Sequence, residues 1–126
     1  MLNPLRNVMN SIKMNRLELL EIVKENKQKH IDAYAESIED YKVAVLKITT
    51  TNLKMAKTAD LEQFKFKTIP SKPTSYEDNY TRAIRMLELS VEAIIDVEES
   101  IFNQLVLDEW GWKQQFTTLS ASYKSV

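Results

Sequence analysis

The most regular stretch of the chain is residues 31–48, which read IDAYAESIEDYKVAVLKI. Its larger apolar residues recur at strict spacings of three and four residues: Ile31, Tyr34, Ile38, Tyr41, Val45 and Ile48. On an α-helix these positions form a single apolar seam of the heptad type. The pattern predicts a helix that buries this seam against a partner helix, from the same chain or from another copy.

The predicted helix extends beyond the seam in both directions. Asn15 followed by Glu18 has the capping-box spacing of a helix start, and no glycine or proline occurs from there to Lys57. A helix over residues 15–57 is about 63 Å long at about 1.5 Å per residue. The shorter helices predicted elsewhere cannot cover that length, so we expect a helical homo-oligomer.

The C-terminal half predicts two shorter helices. One runs from about Glu77 to Ala93, and a second capping-box pattern opens another at Asp96-Val97-Glu98-Glu99. Gly111 interrupts that helix between two tryptophans, and residues 120–126 form a polar tail.

The segment that connects the two halves, residues 58–79, contains Pro70 and Pro73. Within it, Phe64 to Ile69 alternate apolar and polar side chains, which favours a short strand. Ala93 to Val97 form the other β-leaning stretch. We therefore expect a small two-stranded ribbon between these two segments.

The N-terminal extension, residues 1–14, begins with the helix-start pair Asn3-Pro4. Leu2, Leu5, Met9 and Ile12 then follow at helical spacing. We predict a single domain of 126 residues that is mainly α: a long helix over residues 15–57, packed on a shorter helical pair over residues 80–119.

Composition supports a fold of few, long elements. The chain has one glycine, whereas average usage would supply about nine, so an all-β fold rich in tight turns is excluded. No apolar run approaches the roughly 20 residues that cross a bilayer. We expect no membrane partner and a location in a cytoplasm.

The residue inventory argues against an enzyme. The chain has no cysteine and a single histidine, His30, so neither a cysteine nucleophile nor a histidine-rich zinc site can form. No glycine-rich phosphate loop or nucleophile elbow is present. We expect no catalytic activity, no metal and no cofactor.

Five residues are candidates for binding a ligand or a partner. Arg82 and Arg85 lie at the start of a predicted helix, where their planar forks suit a phosphate or a carboxylate, although pairing with nearby acidic residues is the alternative. Trp112 beside Lys113 suits a protein interface, where tryptophan is enriched, although a core position is the alternative. His30 shares a helix face with Asn26 and Tyr34, as a structural cluster or a ligand contact.

Charge is unevenly distributed over the chain. Residues 1–30 carry six basic and three acidic side chains, whereas residues 76–110 carry two and nine. This acidic C-terminal half disfavours nucleic acid as a partner. A host protein or an anionic small molecule remains the expected partner.

Two segments of the chain carry a resemblance. The first contains Asn15-Arg16, Leu19-Leu20 and Tyr34; the second contains Met86-Leu87-Glu88 and, most specifically, Asp108-x-Trp110-x-Trp112-Lys113. Over about residues 13–123 the chain resembles a family of small uncharacterised accessory proteins of tailed bacteriophages. The resemblance implies a phage protein made in the cytoplasm of the infected host and supplies no biochemical activity. Our first hypothesis is an accessory protein that acts by binding, counteracting host defence by sequestering a host factor or a nucleotide-derived signal. A structural or assembly protein of the phage is the alternative.

Overall fold

The computed structural model describes residues 11–58, 66–108 and 110–126. These residues form four helices and one two-stranded sheet. The elements in chain order are β1 (Ser11–Asn15), α1 (Arg16–Thr58), α2 (Glu77–Leu89), β2 (Ile94–Glu98), α3 (Glu99–Val106) and α4 (Trp112–Lys124). The protein is therefore mainly helical, as predicted, with a long N-terminal helix packed on shorter ones.

Helix α1 is continuous over its 43 residues. It begins as the capping-box pattern predicts, because the side-chain oxygen of Asn15 accepts a hydrogen bond from the backbone N–H of Glu18 at 3.1 Å. The three threonines at 49–51 do not interrupt it. The next residue, Asn52, forms two hydrogen bonds through its side-chain amide to the backbone of Lys67, at 2.9 and 3.1 Å.

The buried stripe of α1 is displaced by one residue from the predicted seam. The fully buried positions recur every seven residues at Val23, His30, Ser37 and Ala44. Ile48 belongs to both the predicted seam and the observed stripe, whereas Ile31, Tyr34, Ile38, Tyr41 and Val45 are half-buried. The prediction favoured large apolar residues, whereas the fully buried positions Ser37 and Ala44 hold small ones.

By its contacts the chain divides into two compact units. Unit 1 contains residues 1–31 and 75–112, and unit 2 contains residues 32–74 and 113–126. The core of unit 1 consists of Leu19, Leu20, Val23, Tyr80, Leu87, Val97 and Leu105.

The sheet of unit 1 corrects one prediction. Strand β2 pairs antiparallel with β1, from Ser11 opposite Glu98 to Asn15 opposite Ile94, and not with residues 64–69. Residues 66–69 have no regular structure, and residues 64 and 65 lie outside the described residues, as does the predicted helix start at Asn3-Pro4. Ile12, predicted on a helical face of the N-terminal extension, lies in β1. The strand alternates exposed and half-buried side chains, which is the pattern of a half-buried strand.

The segment after α2 also differs from the prediction. Helix α2 ends at Leu89 instead of Ala93, and Asp96 lies inside β2 instead of capping a helix. The β-branched residues Ile94, Ile95 and Val97 favour a strand over a helix. Helix α3 therefore begins only at Glu99, without a side-chain cap.

The break at Gly111 is confirmed. Gly111 has a φ of 74°, in the left-handed region that glycine adopts without strain. Its N–H donates to the carbonyl of Asp108 at 3.1 Å. Helix α4 starts at the next residue.

In unit 2, helix α4 packs along the second half of α1. The ring of Phe116 lies 5.8 Å from that of Tyr34, and the ring of Tyr123 lies 5.5 Å from that of Tyr41. Residues 120–126 were predicted as a polar tail, but α4 continues to Lys124 and Tyr123 is buried. The Tyr123 hydroxyl donates to the carbonyl of Ser71, which fixes the residue 66–74 segment to α4. None of the described helices combines the length and the apolar character that a membrane span requires.

Candidate functional site

Five rings of unit 1 form a connected group, here called the aromatic cluster: His30, Tyr76, Tyr80, Trp110 and Trp112. The indole of Trp112 meets the imidazole of His30 edge-on, with ring centres 4.9 Å apart. Trp110 stacks on Tyr76 at 5.5 Å and meets Tyr80 edge-on at 5.0 Å. Edge-to-face and stacked rings at these distances stabilise each other beyond simple burial.

Two hydrogen bonds fix the orientation of the rings. The backbone N–H of Tyr76 donates to Nε2 of His30 at 2.9 Å, so the neutral imidazole carries its proton on Nδ1. The indole N–H of Trp112 donates to the hydroxyl of Tyr80 at 2.9 Å. Because Tyr76 is the N-cap residue of α2, His30 supplies an acceptor to a helix end whose N–H groups lack partners within the helix.

Burial favours the uncharged forms of His30 and Tyr80 in the aromatic cluster. Burial lowers the pKa of His30 below its usual 6.5, while the Glu77 carboxylate acts in the opposite direction. Burial also raises the pKa of the Tyr80 hydroxyl. A fully buried neutral imidazole in contact with rings is suited to positioning α2 rather than to exchanging protons with a bound substrate.

The predicted row of Asn26, His30 and Tyr34 has a related structural role. The Asn26 side-chain amide donates to the carbonyls of Leu105 and Val106, at 2.8 and 3.2 Å. These carbonyls lie at the C-terminal end of α3, where the helix itself offers no donors. Asn26 and His30 thus fix the ends of two different helices to α1.

Arg82 and Arg85 lie on the exposed side of α2, whereas Tyr80 and Leu87 lie on its buried side. Within the described residues, neither guanidinium forms a salt bridge. Trp112 contacts the buried side of α2 through Tyr80. It is buried, which is the core position given as the alternative to an interface role.

Lys113, the remaining candidate, is exposed in the first turn of α4 and belongs to unit 2. Its carbonyl accepts a hydrogen bond from the Thr117 hydroxyl at 2.9 Å. Its position gives it no described role in the aromatic cluster.

Arg16 was not predicted as a site residue and organises one end of unit 1. Its guanidinium donates to the carbonyls of Glu92 and Leu87, each at 2.9 Å, and its backbone N–H donates to the carbonyl of Ala93 at 2.9 Å. The Arg16 side chain therefore supplies hydrogen-bond donors to a carbonyl near the C-terminal end of α2 and to a carbonyl in the segment that leads to β2. No local signal in the sequence distinguishes it from an exposed helical arginine.

The exposed side of α2 continues into apolar residues. Met86 and Leu89 are each 73% exposed, and Val91 is 95% exposed. We call the surface formed by Arg82, Arg85, Met86, Leu89 and Val91 the α2 face. Among the residues that the structure describes, no group of three or more metal-binding side chains is present.

Comparison of the chain with protein-family models, with curated proteins and with solved structures found no match.

Proposed function

We propose that this protein acts by binding an acidic surface of a protein partner through the α2 face, and not by catalysis. The observation that carries the proposal is the combination of exposed Arg82 and Arg85 with exposed Met86 and Leu89 on one side of α2, followed in the chain by exposed Val91. Arginine is enriched among the residues that contribute most to the binding energy of interfaces. Its planar guanidinium can form two parallel hydrogen bonds to one carboxylate.

The acidic neighbours of the α2 face leave its arginines available. Glu88 faces Lys24, with 3.8 Å between the charged atoms. Asp78 lies one turn before Arg82 on the same side of the helix. A partner that presents several carboxylates competes with this single aspartate.

The α2 face suits a protein better than a nucleotide. Small ligands bind in concave pockets that bury most of their surface, whereas this face is the outer side of a helix with large apolar side chains in solvent. A host protein is therefore our first proposal for the phage accessory protein implied by the resemblance. Sequestering a nucleotide-derived signal is the second.

The proposed function is tested by purifying the tagged protein from infected cells and quantifying the proteins that accompany it. We expect Arg85→Glu to lose a specific partner. The matched control is Lys29→Glu, an equal charge reversal at another exposed helical position of unit 1, which should retain it. If both variants retain every partner, the α2 face is not the binding surface.

Two further measurements separate the alternatives. A nucleotide that binds only the folded state at a hundredfold excess over its Kd stabilises that state by about 2.7 kcal/mol. A thermal shift of wild type that Arg82→Ala and Arg85→Ala both lose would favour the nucleotide version. Stoichiometric recovery of the protein in virions would instead favour a structural or assembly role.

A further inference from the structure

Helix α1 carries a second apolar row within unit 2, on the side away from its buried stripe. Val43, Leu46 and Leu53 are 52%, 68% and 60% exposed, and exposed Thr50 completes spacings of three, four and three. At about 100° per residue, Leu46 and Leu53 point roughly away from buried Ile48. We call Val43, Leu46, Thr50 and Leu53 the outer row.

The outer row lies in a strongly basic part of the chain. Residues 41–58, 66–74 and 113–126 contain eight lysines and neither aspartate nor glutamate. Lys42 flanks the outer row on one edge, while Lys47 and Lys54 flank it on the other. Two carboxylates lie just before the outer row on α1: Glu39 pairs with Lys42 at 3.4 Å, and Asp40 pairs with Lys124 at 3.8 Å.

A cleft of about 530 Å³ adjoins the outer row. Leu46, Lys47 and Thr50 line it from α1, and Lys67 lines it from the segment of residues 66–74. A partner side chain that enters this cleft would contact both apolar and basic groups.

We propose that the outer row is the docking surface for an amphipathic helix of another protein, with apolar residues along its seam and carboxylates on its flanks. The spacing of the row is that of one strand of a coiled coil, and flanking charges choose the partner of such a helix. Lysines on both edges select glutamate or aspartate. This surface belongs to unit 2 and does not depend on the α2 face.

Three other occupants fit less well. A second copy of the same row would bring lysines against lysines, which opposes pairing. Helices that lie on anionic membranes present a broad apolar side, whereas the outer row is narrow and is interrupted by polar Thr50 between Leu46 and Leu53. Single-stranded nucleic acid binds aromatic platforms, which the row lacks.

The test uses two labelled peptides of about three heptads with leucine at the seam positions. One peptide has glutamate on both flanks and the other has lysine, and fluorescence anisotropy measures the binding of each to the full chain. We expect the glutamate peptide to bind and the lysine peptide not to bind. Because the attraction is partly electrostatic, raising the salt concentration should weaken it.

Three variants locate the binding. We expect Leu46→Glu and Lys47→Glu each to weaken binding of the glutamate peptide by about tenfold or more, through lost apolar contact and reversed charge. Lys29→Glu, an equal charge reversal on α1 in unit 1, should leave it unchanged. Both outer-row positions are exposed, and circular dichroism melts identify any variant that fails to fold.

Four results would overturn the proposal. These are no binding of the glutamate peptide, equal binding of both peptides, unchanged binding by Lys47→Glu, or a homodimer that Leu46→Glu dissociates. Binding to phosphatidylserine vesicles that Leu46→Glu abolishes, without peptide binding, would assign the row to a membrane surface instead.

Discussion

At the scale of single residues, the central feature of unit 1 is an uncharged histidine used as a helix cap. His30 is fully buried and accepts the N–H of Tyr76 through Nε2. A proton on Nε2 would remove that acceptor and place a charge among rings. The carboxylate of Glu77 offers only partial compensation, because burial dominates and lowers the pKa of His30.

We predict that stability decreases as the pH falls below about 6.5. The pKa of His30 is lower in the folded state than in the unfolded state, so the unfolded chain takes up the proton first. The contribution is complete above the ordinary pKa and is lost as the pH falls from there through the lowered one. Urea unfolding of wild type and His30→Gln across this range measures it. Glutamine retains an acceptor for Tyr76 and does not titrate, so parallel pH profiles would contradict the prediction.

The hydrogen bond between Trp112 and Tyr80 supports a second prediction. Trp112→Phe removes the donor and leaves the hydroxyl of fully buried Tyr80 without this partner. We expect a loss of about 1–3 kcal/mol in the free energy of unfolding. A double-mutant cycle with Tyr80→Phe isolates the pair. Strictly additive effects would show that the bond contributes nothing.

At the scale of elements, the decisive feature is where α1 has small side chains. Ser37 and Ala44 are fully buried, whereas their neighbours Ile38 and Val45 are half-buried. The rings of Phe116 and Tyr123 pack on Tyr34 and Tyr41 of α1, and the Ser120 hydroxyl donates to that of Ser37 at 3.3 Å. Ala44 has no exposed surface, so we expect a larger side chain there to press against its neighbours.

We therefore predict that Ala44→Leu destabilises the protein by about 1–3 kcal/mol through overpacking. Val45→Leu, the control one residue away, keeps an apolar side chain at a half-buried position and should be nearly neutral. Chemical denaturation of both variants measures the difference. If Val45→Leu lowered the free energy of unfolding more than Ala44→Leu, the result would favour the seam predicted from the sequence over the observed stripe.

The structural elements that could be predicted are those determined by residues close together in the sequence. The cap at Asn15, the absence of helix breakers in α1 and the turn at Gly111 each depend on a few neighbouring residues. The strand pairing could not be predicted in this way, because residues 11–15 and 64–69 both alternate and alternation does not identify a partner. The stripe of α1 also depends on α4, which is distant in sequence and packs on Tyr34, Ser37 and Tyr41.

The candidate site was predictable to a similar extent. The spacing of Asn26, His30 and Tyr34 correctly predicted that they lie on one side of a helix. It did not predict that Asn26 and His30 form hydrogen bonds to the ends of two other helices. The buried position of Trp112 could not be predicted locally, because its hydrogen-bond partner Tyr80 lies 32 positions away in the sequence. The three backbone carbonyls bound by Arg16 lie 71 or more positions away, beyond the reach of any local pattern.

At the scale of the whole molecule, two units share one helix. Opening of native proteins often proceeds by such contiguous units. We predict that Ala44→Leu accelerates amide exchange in residues 113–124 of unit 2 more than in α2 of unit 1. Hydrogen exchange with mass spectrometry resolves the two segments. Equal acceleration in both would mean that the chain opens as a single unit.

The homo-oligomer expected from the sequence stays a prediction at this scale. Tyr34 and Tyr41 of the predicted seam pack on rings of α4 within unit 2. The seam is therefore no longer sufficient reason to expect a second copy of the chain. Light scattering at micromolar concentration measures the assembly. A particle of 14.7 kDa would contradict it.

The placement of the two indoles makes one unit optically distinct. Trp110 and Trp112 both belong to unit 1, whereas the rings of unit 2 are those of tyrosine and phenylalanine. Excitation at the red edge of the absorption band, where only indole absorbs, therefore selects emission from unit 1. Far-ultraviolet dichroism collects the signal of every helix, so superimposable melting curves from the two spectroscopies are the signature of one all-or-none transition. With no label added, the chain reports which of its units is lost first.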